Sequence, residues 1–67
     1  MKYLVGDKVL YKAWPNCYGI IRGIRSFTRY DLDLYWTKDD SLRVSGWLSE
    51  EDLKPLLIPN AEEVHEQ

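Results

Sequence analysis

Between Tyr30 and Trp36 every second residue is large and apolar (Tyr30, Leu32, Leu34, Trp36), while Asp31, Asp33 and Tyr35 fill the places between. A strand points successive side chains to opposite faces, so this alternation specifies one buried and one wetted face; wound as a helix it would scatter the apolar residues all round. A half-buried strand needs neighbours, because an isolated hairpin is marginal in water. With 67 residues the chain has room for one domain to supply them.

A domain near 60 residues buries only about 60% of the surface its unfolded chain exposes, so its hydrophobic stabilisation is thin. The usual supplements are few here. Cys17 is the single cysteine, which excludes an internal disulfide, and no second Cys or spaced His offers a structural zinc site. The rings remain: three Trp, five Tyr and one Phe make 13% of the chain. Each can bury about 150–250 Å², and on that ground Trp36 and Trp47 are expected in the core.

Four further strands follow from pattern and punctuation. Val9 and Tyr11 alternate with Lys8, Leu10 and Lys12 after a Gly6-Asp7 turn, and Trp14-Pro15-Asn16 ends that strand in a loop. Cys17 to Arg25 is rich in β-formers, but Ile21 and Ile24 stand three apart, which predicts a bulge near Gly23 that switches the inward face. Ser26 to Arg29 connects to the Tyr30–Trp36 strand, Thr37 to Ser41 is a polar turn, and Leu42 to Leu48 returns as a hairpin partner. Ser49-Glu50-Glu51-Asp52 has a helix-start signature, with Ser49 placed to accept from the Asp52 amide; Pro55 allows barely one turn before Leu53, Leu56, Leu57 and Ile58 close the sheet. The expected domain spans residues 1–58, followed by a flexible acidic tail over 59–67.

The chain carries a net charge of −2, unevenly placed: residues 1–46 hold eight Lys/Arg against five Asp/Glu, and residues 47–67 hold one against six. So mild a positive balance in the body is far from the footprint of a dedicated nucleic-acid binder. No apolar run approaches the ~18 residues of a membrane helix. The opening Met-Lys-Tyr-Leu-Val-Gly-Asp lacks the apolar stretch of a signal peptide, so the expected location is cytoplasmic.

Several of these residues, taken in order, resemble a family pattern. Gly6-Asp7-Lys8-Val9 opens the first strand and Tyr18-Gly19-Ile20-Ile21 the second; Leu32 through Trp36 forms the third; then come Gly46-Trp47 and Ser49-Glu50-Glu51-Asp52-Leu53-Lys54-Pro55-Leu56. Over about residues 5–57 this order resembles the SH3-like barrels of the Tudor, KOW and chromo-barrel kind, especially short stand-alone bacterial and phage versions. The resemblance implies an all-β fold, a small five-stranded SH3-like barrel with a single 3-10 turn before the last strand and a frayed acidic C-terminal tail. Related barrels bind peptides, modified side chains, RNA, DNA or copies of themselves, so it implies binding rather than one fixed role.

Catalytic equipment is sparse. His65, the one histidine, falls in the tail, so no nucleophile, base and orienting group share credible elements. Asp39-Asp40 reads as turn polarity and Glu50-Glu51-Asp52 as capping, not as a calcium loop. The expectation is a protein that is not an enzyme and uses no metal or cofactor. Two groups suit binding. Trp14, Tyr18, Tyr30, Tyr35 and Trp47 can line a groove at the loop ends, Trp14 best of all because it interrupts no strand pattern. Arg22, Arg25, Phe27 and Arg29 combine guanidinium groups with a loop aromatic, as phosphate contact plus base stacking requires. The plainer alternative pairs Arg25 and Arg29 with Asp31 or Asp33 across the hairpin. Leu10 and Ile20 offer a patch for a second copy of the chain. The leading expectation is a protein-protein interaction module, self-association included; a KOW- or Tudor-like nucleic-acid module is the alternative.

Overall fold

A computed structural model describes residues 2–56, and these form an all-β sheet of five antiparallel strands. They are β1 (Lys8–Tyr11), β2 (Cys17–Ser26), β3 (Arg29–Trp36), β4 (Leu42–Ser49) and β5 (Leu53–Pro55), with one 3-10 turn, η1 (Glu50–Asp52), before the last. The expected tail and the residues Leu57, Ile58 and His65 lie outside the described residues. The described residues include no helix long and apolar enough to cross a membrane.

The sheet runs β4-β3-β2-β1-β5. From β1 to β4 successive strands are neighbours, joined by short connections: Phe27 and Thr28 alone join β2 to β3, and the Thr37–Ser41 turn joins β3 to β4 with Asp40 left-handed at φ 61°. The carboxylate of Asp39 accepts from both the amide and the hydroxyl of Ser41, which fixes the turn and holds the Asp39 pKa below its ordinary value. Ser49 precedes η1, as expected, but its side chain makes no cap bond. The first amide of the turn, that of Glu50, donates instead to the Thr28 carbonyl. β4 and β5 are the two edges and do not pair with each other, so the sheet is not closed into a barrel.

The bulge predicted near Gly23 is present. Ile21 opposes Leu32 and Gly23 opposes Asp31, so Arg22 is the extra residue; a second irregularity falls between Ile24 and Ser26. The first switches faces, bringing Ile24 opposite inward Tyr30, yet Ile24, near the hairpin end, stays 39% exposed. The core is Tyr3, Val9, Ile21, Tyr30, Leu32, Leu34 and Leu53, with Tyr11, Trp14 and Leu48 packed against it. Gly19 lets the core close tightly there: a Cβ would lie 2.8 Å from Leu32 Cδ1 and 3.1 Å from Leu34 Cδ2, so those side chains would have to shift.

Two expectations about large rings fail. Tyr30, expected at a binding groove, is fully buried. It packs edge-on against Tyr3 at 5.5 Å, and its hydroxyl donates to Glu50 at 2.6 Å while accepting from the amides of Lys2 and Tyr3. Trp47, expected in the core, is 47% exposed. Its register explains this: it opposes Asp31, and directly opposite residues share a face, so it stands on the wetted side. Trp36 is half-buried.

Candidate interaction surface

The wetted face of β3 carries Asp31, Asp33 and Tyr35, and the neighbouring strands bring polar and aromatic partners to each. Asp31 accepts from Arg25 Nε at 2.9 Å. Asp33 accepts from Arg22 at 3.3 Å and from the hydroxyl of Ser45, which opposes it on β4. Tyr35 stacks on Tyr18 with centroids 5.4 Å apart, and Lys8 lies 5.3 Å over the Tyr18 ring. The Tyr18 hydroxyl donates to Asp40 at 2.9 Å, a bond that raises its pKa by favouring the neutral phenol. Between β2 and β4, Arg22, Gly23, Arg25, Asp31, Ser45 and Gly46 line a shallow groove of about 390 Å³.

The cross-hairpin pairing anticipated for the arginines holds for Arg25 with Asp31, and Arg22 supplies the one to Asp33. Both pairs are exposed and of little energetic weight. Arg29 has no carboxylate partner among the described residues; its guanidinium lies 5.2 Å over the Trp47 ring, which Arg25 also approaches at 5.6 Å. Phe27 projects from the β2–β3 turn at 76% exposure. Thus Arg25, Arg29 and Trp47 are brought together, with Phe27 on the same hairpin, while Tyr18 and Tyr35 form a separate stack further along the sheet.

Trp14 belongs to neither group. It meets Tyr11 edge-on at 5.1 Å, and the Arg43 guanidinium lies 3.6 Å from its ring centroid and 4.3 Å from that of Trp36. The same group donates to Cys17 Sγ at 3.5 Å. Trp14 is therefore packed, not presented. Arg43 turns this way because a register shift between Leu34 and Tyr35 makes it the extra residue of β4. Leu10 and Ile20, the anticipated apolar patch, are half-buried on the wetted face.

The feature that sequence reading passed over is the outer edge of β4. Residues 42–47 are all exposed, with Leu42 at 56% and Val44 at 42%. Edge strands are normally blunted by Lys, Pro, inward charges or brevity. β4 has eight residues, Leu-Arg-Val-Ser-Gly-Trp-Leu-Ser, with no Lys, acid or Pro, and its one charge is engaged by Trp14 and Trp36. The opposite edge, β5, has three residues and includes Pro55. Among the described residues no group of three or more His, Cys, Asp or Glu could hold a metal ion. No family model, curated protein or solved structure matches this chain.

Proposed function

We propose that this chain is a non-enzymatic protein-interaction module that accepts a partner strand along β4. The observation carrying this reading is the unblunted eight-residue edge with Leu42, Val44 and Trp47 exposed on it. An edge of this kind presents free backbone donors and acceptors, which give affinity, while alternate side chains give selectivity. Trp47 supplies a large, stiff anchor of the sort that dominates interface energetics. The order of elements, the bulged β2 and the 3-10 turn before β5 support a partly open SH3-like barrel as the scaffold. Tagged wild-type chain and a Val44→Lys variant should be compared on one cell extract, and each captured protein purified and titrated by calorimetry. The reading requires binding that Val44→Lys weakens at least tenfold. It fails if wild type and variant behave alike towards every partner, further copies of the chain included.

A second reading is favoured by the convergence of Arg25 and Arg29 on Trp47, with Phe27 exposed in the turn that joins the strands of the two arginines. Two cations beside stacking rings suit a single-stranded nucleic acid, where each stacked base is worth about 1–3 kcal/mol. Titration with single-stranded oligonucleotide at low salt tests it. Binding must fade as salt rises and weaken in Trp47→Ala; absence of binding at low salt removes this reading.

A further inference from the structure

We infer that the strand received by β4 is the β4 of a second copy, paired antiparallel about a two-fold axis at Gly46. This rests on the preceding reading of the edge and names its occupant.

Three features of β4 point to self-pairing. The first is charge polarity along the strand. Arg43 stands near its start, and Glu50 and Glu51 follow immediately after its end. Arg43 stays over Trp14 and Trp36 and Glu50 stays bonded to Tyr30, so their charges act through the field and not as a direct ion pair: an antiparallel copy brings the cationic start of each strand near the acidic end of the other, whereas a parallel copy would juxtapose like charges. Opposite charges across neighbouring strands are favourable and like charges unfavourable.

The second is face matching. Directly opposite residues must share a face, so a two-fold axis has to fall on a residue and not between two. Gly46 opposes buried Leu32, Val44 opposes Leu34 and Leu48 opposes Tyr30, so these three face inward, whereas Ser45 and Trp47 oppose Asp33 and Asp31 and face outward. An axis at Gly46 sets Val44 against Leu48 of the second copy and so continues the apolar face. It also sets each Trp47 against Ser45, whose small side chain leaves room for the indole. An axis one residue later brings both Trp47 rings together, and with them two copies of Arg25 and Arg29. An axis one residue earlier sets inward Leu48 against Leu42, which opposes Tyr35 and faces outward.

The third is room at the axis itself. A Cβ placed on Gly46 would meet nothing within 4 Å. Gly46 itself has no side chain at the axis, and a cysteine introduced there would stand clear of its own sheet, free to meet its symmetry mate on the same face.

The test uses the full chain. Sedimentation equilibrium across a wide concentration range should give the mass of two chains at the upper end, and Val44→Lys should raise the dissociation constant at least tenfold. Gly46→Cys reports the axis directly: mild oxidation should link it to its own copy far faster than it links Thr28→Cys, an exposed control at the hairpin tip. Circular dichroism confirms that each variant keeps the β spectrum. A monomer mass throughout, with Gly46→Cys linking no faster than Thr28→Cys, overturns the inference. If a different protein then binds wild type and is lost in Val44→Lys, the reading of the edge survives without it. A dimer that ignores Val44→Lys and does not link through residue 46 overturns both.

Discussion

Arg43 is an exposed residue whose removal should nonetheless destabilise the fold. Its guanidinium lies between two indoles, 3.6 Å from the Trp14 centroid and 4.3 Å from the Trp36 centroid. It thereby ties β4 to the loop after β1 and to the end of β3. A cation over a ring is worth about 0.5–1 kcal/mol where water still reaches it. Arg43 is exposed as a residue, so that lower range applies to each ring, giving about 1–2 kcal/mol for the pair. The bond to Cys17 Sγ, 3.5 Å long, adds little. For a domain of this size about 1 kcal/mol moves the melting temperature by roughly 4–8 °C. Arg43→Ala should therefore melt roughly 4–16 °C lower than wild type by near-ultraviolet circular dichroism. Arg43→Lys keeps the charge and loses the flat stacking surface, so it should recover less than half of the loss. A double-mutant cycle with Trp14→Leu isolates the contact and should show a coupling of about 0.5–1 kcal/mol. If Arg43→Ala melts with wild type, or its effect simply adds to that of Trp14→Leu, the guanidinium is not a structural tie and the argument for it fails.

Tyr3 and Tyr30 make an internal contrast. Among the described residues the Tyr3 hydroxyl is the buried side-chain polar atom with no partner, whereas the Tyr30 hydroxyl makes three hydrogen bonds. Urea denaturation should find Tyr3→Phe as stable as wild type or up to about 1 kcal/mol more stable, and Tyr30→Phe destabilised by about 1–3 kcal/mol because it strands the Tyr3 amide; the reverse order would refute the assignment. Glu50 gives a pH dependence. Its pKa is held below the ordinary carboxylate value, first by the Tyr30 hydroxyl and then by the Lys2 amide. A depressed folded pKa contributes stability above the unfolded value and loses it as pH falls through the folded one. Thermal melts should thus decline from about pH 4.5 downward, and Glu50→Gln should be less stable than wild type at neutral pH with a flatter decline; a parallel acid limb in the two proteins would show that Glu50 contributes nothing.

How far the chain can be read depends on where its signals are local. β3 was legible because alternation over seven residues leaves one choice of face. The bulge was legible because the spacing of Ile21 and Ile24 breaks the period beside a glycine. Trp47 was misread because bulk argues for burial and register argues against it. The parity of Val44, Gly46 and Leu48 carried the needed signal, for if those face inward Trp47 cannot. Tyr30 lay on the inward side of the best strand, so its place in the core followed from the pattern and its candidacy for a groove did not. Arg43 had no signal, since an arginine within a strand reads as solvated and no glycine marks the irregularity that turns it in. The nearness of Arg25 and Arg29 to Trp47 also required the register of β4, which only the assembled sheet supplies.

The contrast between a long, bare β4 and a three-residue β5 bearing Pro55 has a consequence for crowding. A sheet able to extend on both sides can recruit neighbours without end, which is the route to fibres. One with a single receptive margin saturates after its first addition, because the newcomer presents only its own stunted side to what remains. High expression of such a chain should then yield discrete small particles and not a growing gel.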